Sequence, residues 1–126
     1  MKKMVKRIQF VSDHLIEQIL EKQKTASVTR LENLNHDEDE YNQALLVGAF
    51  YDVYDSKFVK QCTIRITAIE LCHWNNIPER LWRGETNKNA DEFREDNEEY
   101  FNYPLDSFEF AAHYFQLKKV HKGIKI

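Results

Sequence analysis

The sequence predicts an α+β domain: a small, curved, mixed or antiparallel β-barrel with helices at its openings. Three observations carry this. The chain has 126 residues, one domain's worth, so residues 1–126 are read as a single domain. Strand-like and helix-like stretches alternate irregularly, with no Gly-rich turn between a strand and a helix, which excludes a doubly wound parallel sheet. Finally, two β-patterned segments flank the short turn Asp55-Ser56-Lys57, the strongest hairpin signal in the chain.

Residues 5–11 read as a first strand with Ile8 and Phe10 on one face. Ser12 stands where a helix cap accepts first-turn amides. Leu15, Ile16, Ile19 and Leu20 then give the stripe of one buried helix face, ending near Lys22 or Gln23. Residues 25–31 are rich in small and β-branched types and read as extended. His36-Asp37-Glu38-Asp39-Glu40 is a solvated acidic loop; it lacks the ligand spacing and the bend glycine of a calcium loop. Residues 45–54 and 62–71 form the hairpin. In its second strand Cys62, Ile64, Ile66, Ala68 and Glu70 share one face, and Thr63, Arg65, Thr67, Ile69 and Leu71 the other.

Pro78 opens a short helix carrying Leu81 and Trp82, and Gly84-Glu85-Thr86-Asn87 is a loop. Asn89 caps a second helix over residues 90–101, with Phe93, Tyr100 and Phe101 as its apolar stripe. Residues 108–120 alternate as one long strand, Phe108, Phe110, Ala112 and Tyr114 against Ala111, His113, Phe115 and Leu117.

The net charge of −3 conceals a segregation. Lys2, Lys3, Lys6 and Arg7 at one end, and Lys118, Lys119, Lys122 and Lys125 at the other, are accompanied by no acid. Residues 8–117 therefore hold ten cations against all 21 acids, a net −11. If the first and last strands are neighbours, the two basic ends meet in one patch able to face an anionic partner. The longest apolar run, from Ala44 to Tyr51, has eight residues, far short of a membrane span, and no secretory signal follows the basic N-terminus. With only Cys62 and Cys72, no disulfide framework arises, and a cytoplasmic protein with reduced thiols is expected. The histidines (14, 36, 73, 113 and 121) form no metal or triad pattern, and Cys72-His73 point to opposite faces of a strand, so neither metal nor cofactor is expected.

Three stretches carry a family resemblance. The first runs from Leu15 through Lys24-Thr25-Ala26-Ser27, an apolar helix entering a Lys-Thr motif. The second is the hairpin, from Val47-Gly48-Ala49-Phe50-Tyr51 to Cys62-Thr63-Ile64-Arg65-Ile66. The third is Gly84-Glu85 followed by the Phe93 helix. In this order and spacing they resemble the ASCH family, whose fold is a PUA-like β-barrel. The resemblance spans about residues 10–120. Three positions depart from the family pattern. Its glycine before the first lysine is Lys22 here; its Thr or Glu three residues after the lysine is Ser27; and its arginine two residues later is Thr29, with Arg30 one place further on. A one-residue shift on a strand reverses the side chain's face.

The resemblance implies binding of RNA, a nucleotide or a modified nucleoside in a cleft at the barrel mouth. The alternative it implies is a small hydrolase, a ribonuclease or an amidohydrolase acting on an acylated nucleoside. The catalytic positions credited to that amidohydrolase branch fall on Lys24, Ser27 and Glu85. These types suit amide hydrolysis: Ser27 offers a hydroxyl nucleophile, Lys24 a base or a carbonyl polariser, and Glu85 a holder for Lys24 or a proton shuttle. They equally suit an ion pair at the barrel mouth with Ser27 as an ordinary strand residue. Thr25, Arg30 and Arg65 are candidates for gripping a phosphate or a base. Tyr51, Trp74, Trp82 and Tyr103, which flank predicted loops, are candidates for an aromatic cleft wall.

Overall fold

The structure, a computed structural model, describes residues 5–121. Its elements in chain order are β1 (Val5–Gln9), α1 (Asp13–Leu20), β2 (Ala26–Thr29), a short 3₁₀ turn (Leu31–Asn33), β3 (Phe50–Tyr54), β4 (Lys60–His73), α2 (Glu79–Gly84), α3 (Ala90–Asn97) and β5 (Glu109–Val120). The α+β class holds, and the hairpin is β3–β4. No helix among the described residues is long and apolar enough to cross a membrane.

The expected closed barrel does not form. The five strands lie in the order β1-β3-β4-β5-β2, with β1 parallel to β3 and every other pair antiparallel. β1 and β2 are therefore the two edges of an open mixed sheet. The outer edge of β1 is occupied by the loop residues Asn42 and Gln43 instead of a strand: Gln43 Oε1 accepts from the Arg7 amide at 2.8 Å, the Gln43 amide donates to the Arg7 carbonyl at 3.1 Å, and Asn42 Oδ1 accepts from the Gln9 amide at 3.3 Å. Those contacts satisfy amides that a closing strand would have taken. β3 and β4 also separate β1 from β5, so the basic ends are not on neighbouring strands. Arg7, Asp52, Thr63 and Lys119 form one row across the sheet, which puts Arg7 about 14 Å from Lys119 at ordinary strand spacing. Lys2, Lys3, Lys122 and Lys125 lie outside the described residues.

The sheet carries a core on each face. On one, Ile16 and Ile19 of α1 pack with Ile8, Phe10, Val53, Ile64, Ile66 and Phe115. On the other, Trp74, Leu81, Phe93, Phe101 and Phe110 enclose Ala26, Cys72, Ala112 and Tyr114. β5 runs between the two, so residues 110–115 are all buried despite their alternation. In β4 the simple alternation breaks. Ile66 pairs with Phe115 and Ala68 with Tyr114, so Thr67 is an extra, bulged residue. Beyond it the parity flips: Ile69 joins Ile66 in the first core, while Ala68 and Cys72 enter the second.

Other expected boundaries shift. Residues 45–49 form a turn before β3, not its first half, with Gly48 at φ +90°. Helix α1 ends at Leu20 because Lys22 adopts φ +63°, the left-handed conformation that stops a helix. Ser12 occupies the α1 cap position but its side chain makes no capping bond, whereas Asn89 Oδ1 accepts from the Glu92 amide at 2.8 Å and caps α3 as expected. That helix ends at Asn97, before Phe101.

Candidate functional site

Gly84 fixes the site's geometry. A β-carbon there would lie 2.7 Å from the Ala26 β-carbon and 3.1 Å from Thr25 Oγ1. Only glycine allows the end of α2 to lie against the start of β2, and the Thr25 amide donates to the Gly84 carbonyl at 2.9 Å across that contact. Glu85, the next residue, is thereby delivered to Lys24, which precedes β2.

The Lys24 side chain is only 1% exposed. Its ammonium donates to the Ala26 carbonyl at 2.7 Å and to Glu85 Oε1, which makes a buried ion pair. The Phe10 ring lies 6.0 Å away. This pair lines a cleft of about 510 Å³, within the range of small-molecule sites. Both sheet edges contribute: Ile8, Gln9 and Phe10 from the β1 side, and Ser27, Val28 and Thr29 from β2. The cleft therefore occupies the gap where a barrel would have closed, which requires the open sheet to curl its edges towards each other. Asn87, Asp96 and Tyr100 complete much of its wall.

Ala26 and Val28 pack in the second core, so Ser27 and Thr29 turn to the opposite face. Ser27 pairs directly with His113 of β5. His113 is 2% exposed; its Nδ1 faces Thr29 Oγ1 at 3.4 Å. Burial, and secondarily the Lys24 charge, push its pKa down to about 3, so the imidazole is neutral at pH 7.

A sequence model of the ASCH domain matches residues 6–118. The chain belongs to the ASCH domain family. Among solved structures, an ASCH domain from Lactobacillus crispatus superposes with a TM-score of 0.71 at 16% identity, covering 90% of this chain and 80% of that one. A protein from Enterococcus faecalis gives 0.70 at 16% identity, covering 100% and 88%. An ASCH protein from Zymomonas mobilis, solved as a mutant, gives 0.52 at 18% identity, covering 91% and 67%. At these identities the likeness is one of fold. No curated protein matches the sequence.

In this ASCH domain Lys24, Ser27 and Glu85 line one cleft. The other sequence candidates lie elsewhere. Thr25 is exposed and ties β2 to α2 and β5 through its backbone. Arg30 is not part of the cleft lining: its guanidinium donates to the Tyr100 carbonyl and lies over the Tyr100 and Phe101 rings at 5.2 and 5.7 Å. Arg65 is exposed on β4, where it donates to the Gly48 carbonyl at 3.2 Å and lies over Phe50. Tyr51, expected as a cleft wall, is a fully buried core residue. Its hydroxyl donates to the Ala44 carbonyl at 2.6 Å and accepts the Leu46 amide at 2.9 Å, pinning the turn before β3. Trp74 likewise belongs to the second core, because its ring packs against Phe93, Phe101 and Phe110. Trp82 is half-buried beside that core under Arg83, and Tyr103 is exposed on the turn after α3.

Phe10, Thr29, Asn87, Tyr100 and His113 line the cleft without having been anticipated there. One signal was available for His113. It is the polar residue in an otherwise apolar strand face shared with Ala111, Phe115 and Leu117.

Proposed function

We propose that the cleft between β1 and β2 binds a nucleoside unit, free or carried in RNA. The observation that carries this reading is a nucleoside-sized cleft holding the buried Lys24–Glu85 pair beside aromatic side chains, Phe10 and Tyr100. A base needs an apolar face to stack on and a few fixed polar groups to orient it. Family membership and the position of Lys24 at the cleft support the same reading.

A second reading, amide hydrolysis on an acylated nucleoside, is favoured by one specific observation: Ser27 shares the cleft with Lys24 and Glu85. In that reaction Ser27 Oγ bonds to the acyl carbon. Lys24 stabilises the developing oxyanion, Glu85 carries the hydroxyl proton to the departing amine, and water then releases the acid from Ser27.

Calorimetric titration with nucleosides, acylated nucleosides and short RNAs tests the first reading. Binding of a nucleoside or a nucleoside-bearing RNA is expected, weakened in Tyr100→Ala. Absence of any binding refutes it. Chromatography of the same mixtures tests the second. Loss of turnover in Ser27→Ala with binding retained is expected, and undiminished turnover removes Ser27 as nucleophile.

A further inference from the structure

Two buried side-chain atoms among the described residues have no hydrogen-bond partner, Asn87 Oδ1 and His113 Nε2. Both residues line the same cleft. Buried polar atoms are nearly always paired, and leaving one unpaired is costly. Two such atoms in residues that line one cleft point to a ligand that would supply their partners.

The rest of each side chain is already fixed. Asn87 Nδ2 donates to Asp96 Oδ2 at 2.8 Å and to Glu92 Oε1 at 3.4 Å. A flipped carboxamide would set its oxygen against those carboxylates, so Oδ1 is fixed as the acceptor end of the side chain. It calls for an N–H or O–H donor. The His113 ring is held at Nδ1 by Thr29 Oγ1, and a neutral imidazole keeps one lone pair and one N–H. Its Nε2 takes whichever role Thr29 leaves to it, so the ring meets either a donor or an acceptor without becoming charged.

Charge narrows the ligand further. Lys24 is the one cation among the described residues lining the cleft, and it is engaged by Glu85 and the Ala26 carbonyl. Glu38 and Asp96 add two more carboxylates to the lining. The lining is net negative, which opposes a phosphate.

We infer that His113 and Asn87 are ligand-binding residues that recognise an uncharged, donor-bearing polar edge, that of a nucleobase or an amide attached to one, and that this cleft excludes phosphate. The inference rests on reading the cleft as a nucleoside site and adds which residues choose the nucleoside and by what chemistry.

Titration of the folded protein with cytidine, uridine, adenosine and guanosine, with their 5′-monophosphates and with inorganic phosphate tests it. At least one nucleoside is expected to bind more tightly than its monophosphate, with no binding of inorganic phosphate and little dependence on salt. His113→Phe and Asn87→Ala are each expected to weaken that nucleoside about tenfold, one hydrogen bond's worth. His113→Gln, which keeps a polar amide near the Nε2 position, restores part of the loss and covers the case in which the Phe variant fails to fold. A merely structural histidine predicts the reverse pattern: lower stability of the free protein and unchanged affinity once folded. Nucleoside affinity undiminished in the folded His113 and Asn87 variants overturns this assignment and leaves the nucleoside site standing. Tighter binding of phosphate or of the monophosphates overturns the exclusion. No binding of any nucleoside by the wild type overturns this inference, and the site reading falls with it when acylated nucleosides and short RNAs also fail to bind.

Discussion

Replacing Glu85 by Gln removes one charge and almost no volume. Its effect follows from where Lys24 sits. The Lys24 side chain is 1% exposed and its ammonium has two oxygen partners, so the carboxylate supplies its neutralisation and little water can substitute. Removing one member of a buried pair costs about 3–5 kcal/mol, because the remaining charge stays desolvated. The carboxamide of the variant would still offer an oxygen to Lys24, which places the expected loss near the lower end, about 3 kcal/mol. For a chain of 126 residues that corresponds to a fall in Tm of about 10 °C. In urea the midpoint falls by about 2 M at a slope of about 1.5 kcal/mol per molar. The double variant Lys24→Met/Glu85→Gln removes both charges and is expected to recover most of the loss. The coupling between the two positions is therefore expected at about 2 kcal/mol or more in a double-mutant cycle. A Glu85→Gln loss below about 1 kcal/mol, with coupling near zero, would refute the reasoning, because that is how a solvated surface pair behaves.

Gly84→Ala is expected to cost about 1–3 kcal/mol in urea unfolding, since its new methyl would meet the fully buried Ala26 at 2.7 Å. Lys22→Gly relieves the left-handed strain at φ +63° and is expected to raise stability by about 0.5–1 kcal/mol, read as a higher Tm. His113 titrates far below an unfolded histidine, so between about pH 6.5 and its folded pKa of about 3 the unfolded state binds more protons; stability falls as the pH is lowered through that window, and the slope of the urea midpoint between pH 6.5 and 4.5 should flatten in His113→Phe. Cys62 and Cys72 are buried, with thiols pushed up to about 12 by burial, so an aromatic disulfide reagent at pH 8 should label neither until the protein unfolds.

Local signals in the sequence were strong where one element decides its own form. The Asn89 cap, the α1 stripe and the β3–β4 hairpin needed no partner to be recognised. Three features escaped because they depend on pairing between distant segments. Thr67 looks like any other β-branched strand residue; only the β5 register makes it a bulge and reverses the faces beyond it. Closure of the barrel was expected from the order of strands and helices and from the family resemblance, but the amides on the outer edge of β1 are taken by Asn42 and Gln43, polar loop residues with no sequence mark of that role. Tyr51 and Trp74 flank loops, yet each turns inward, which a flanking position does not reveal. At the site, the Lys24, Ser27 and Glu85 positions came from motif order. His113 and Asn87 did not: His113 is marked in the sequence only as a polar residue on an apolar strand face, and the missing hydrogen-bond partners of both are a property of the folded chain.

The open seam has a mechanical consequence. β1 and β2 face each other across the cleft without a ladder of backbone hydrogen bonds between them. No main-chain pairing spans the gap, and side chains such as Phe10 and Tyr100 line it instead. In a closed barrel the radius is fixed by strand number and stagger; here the width of the mouth can drift by substitution in either edge strand while the five-stranded frame stays intact. One scaffold can thus be retuned for guests of different girth without being refolded.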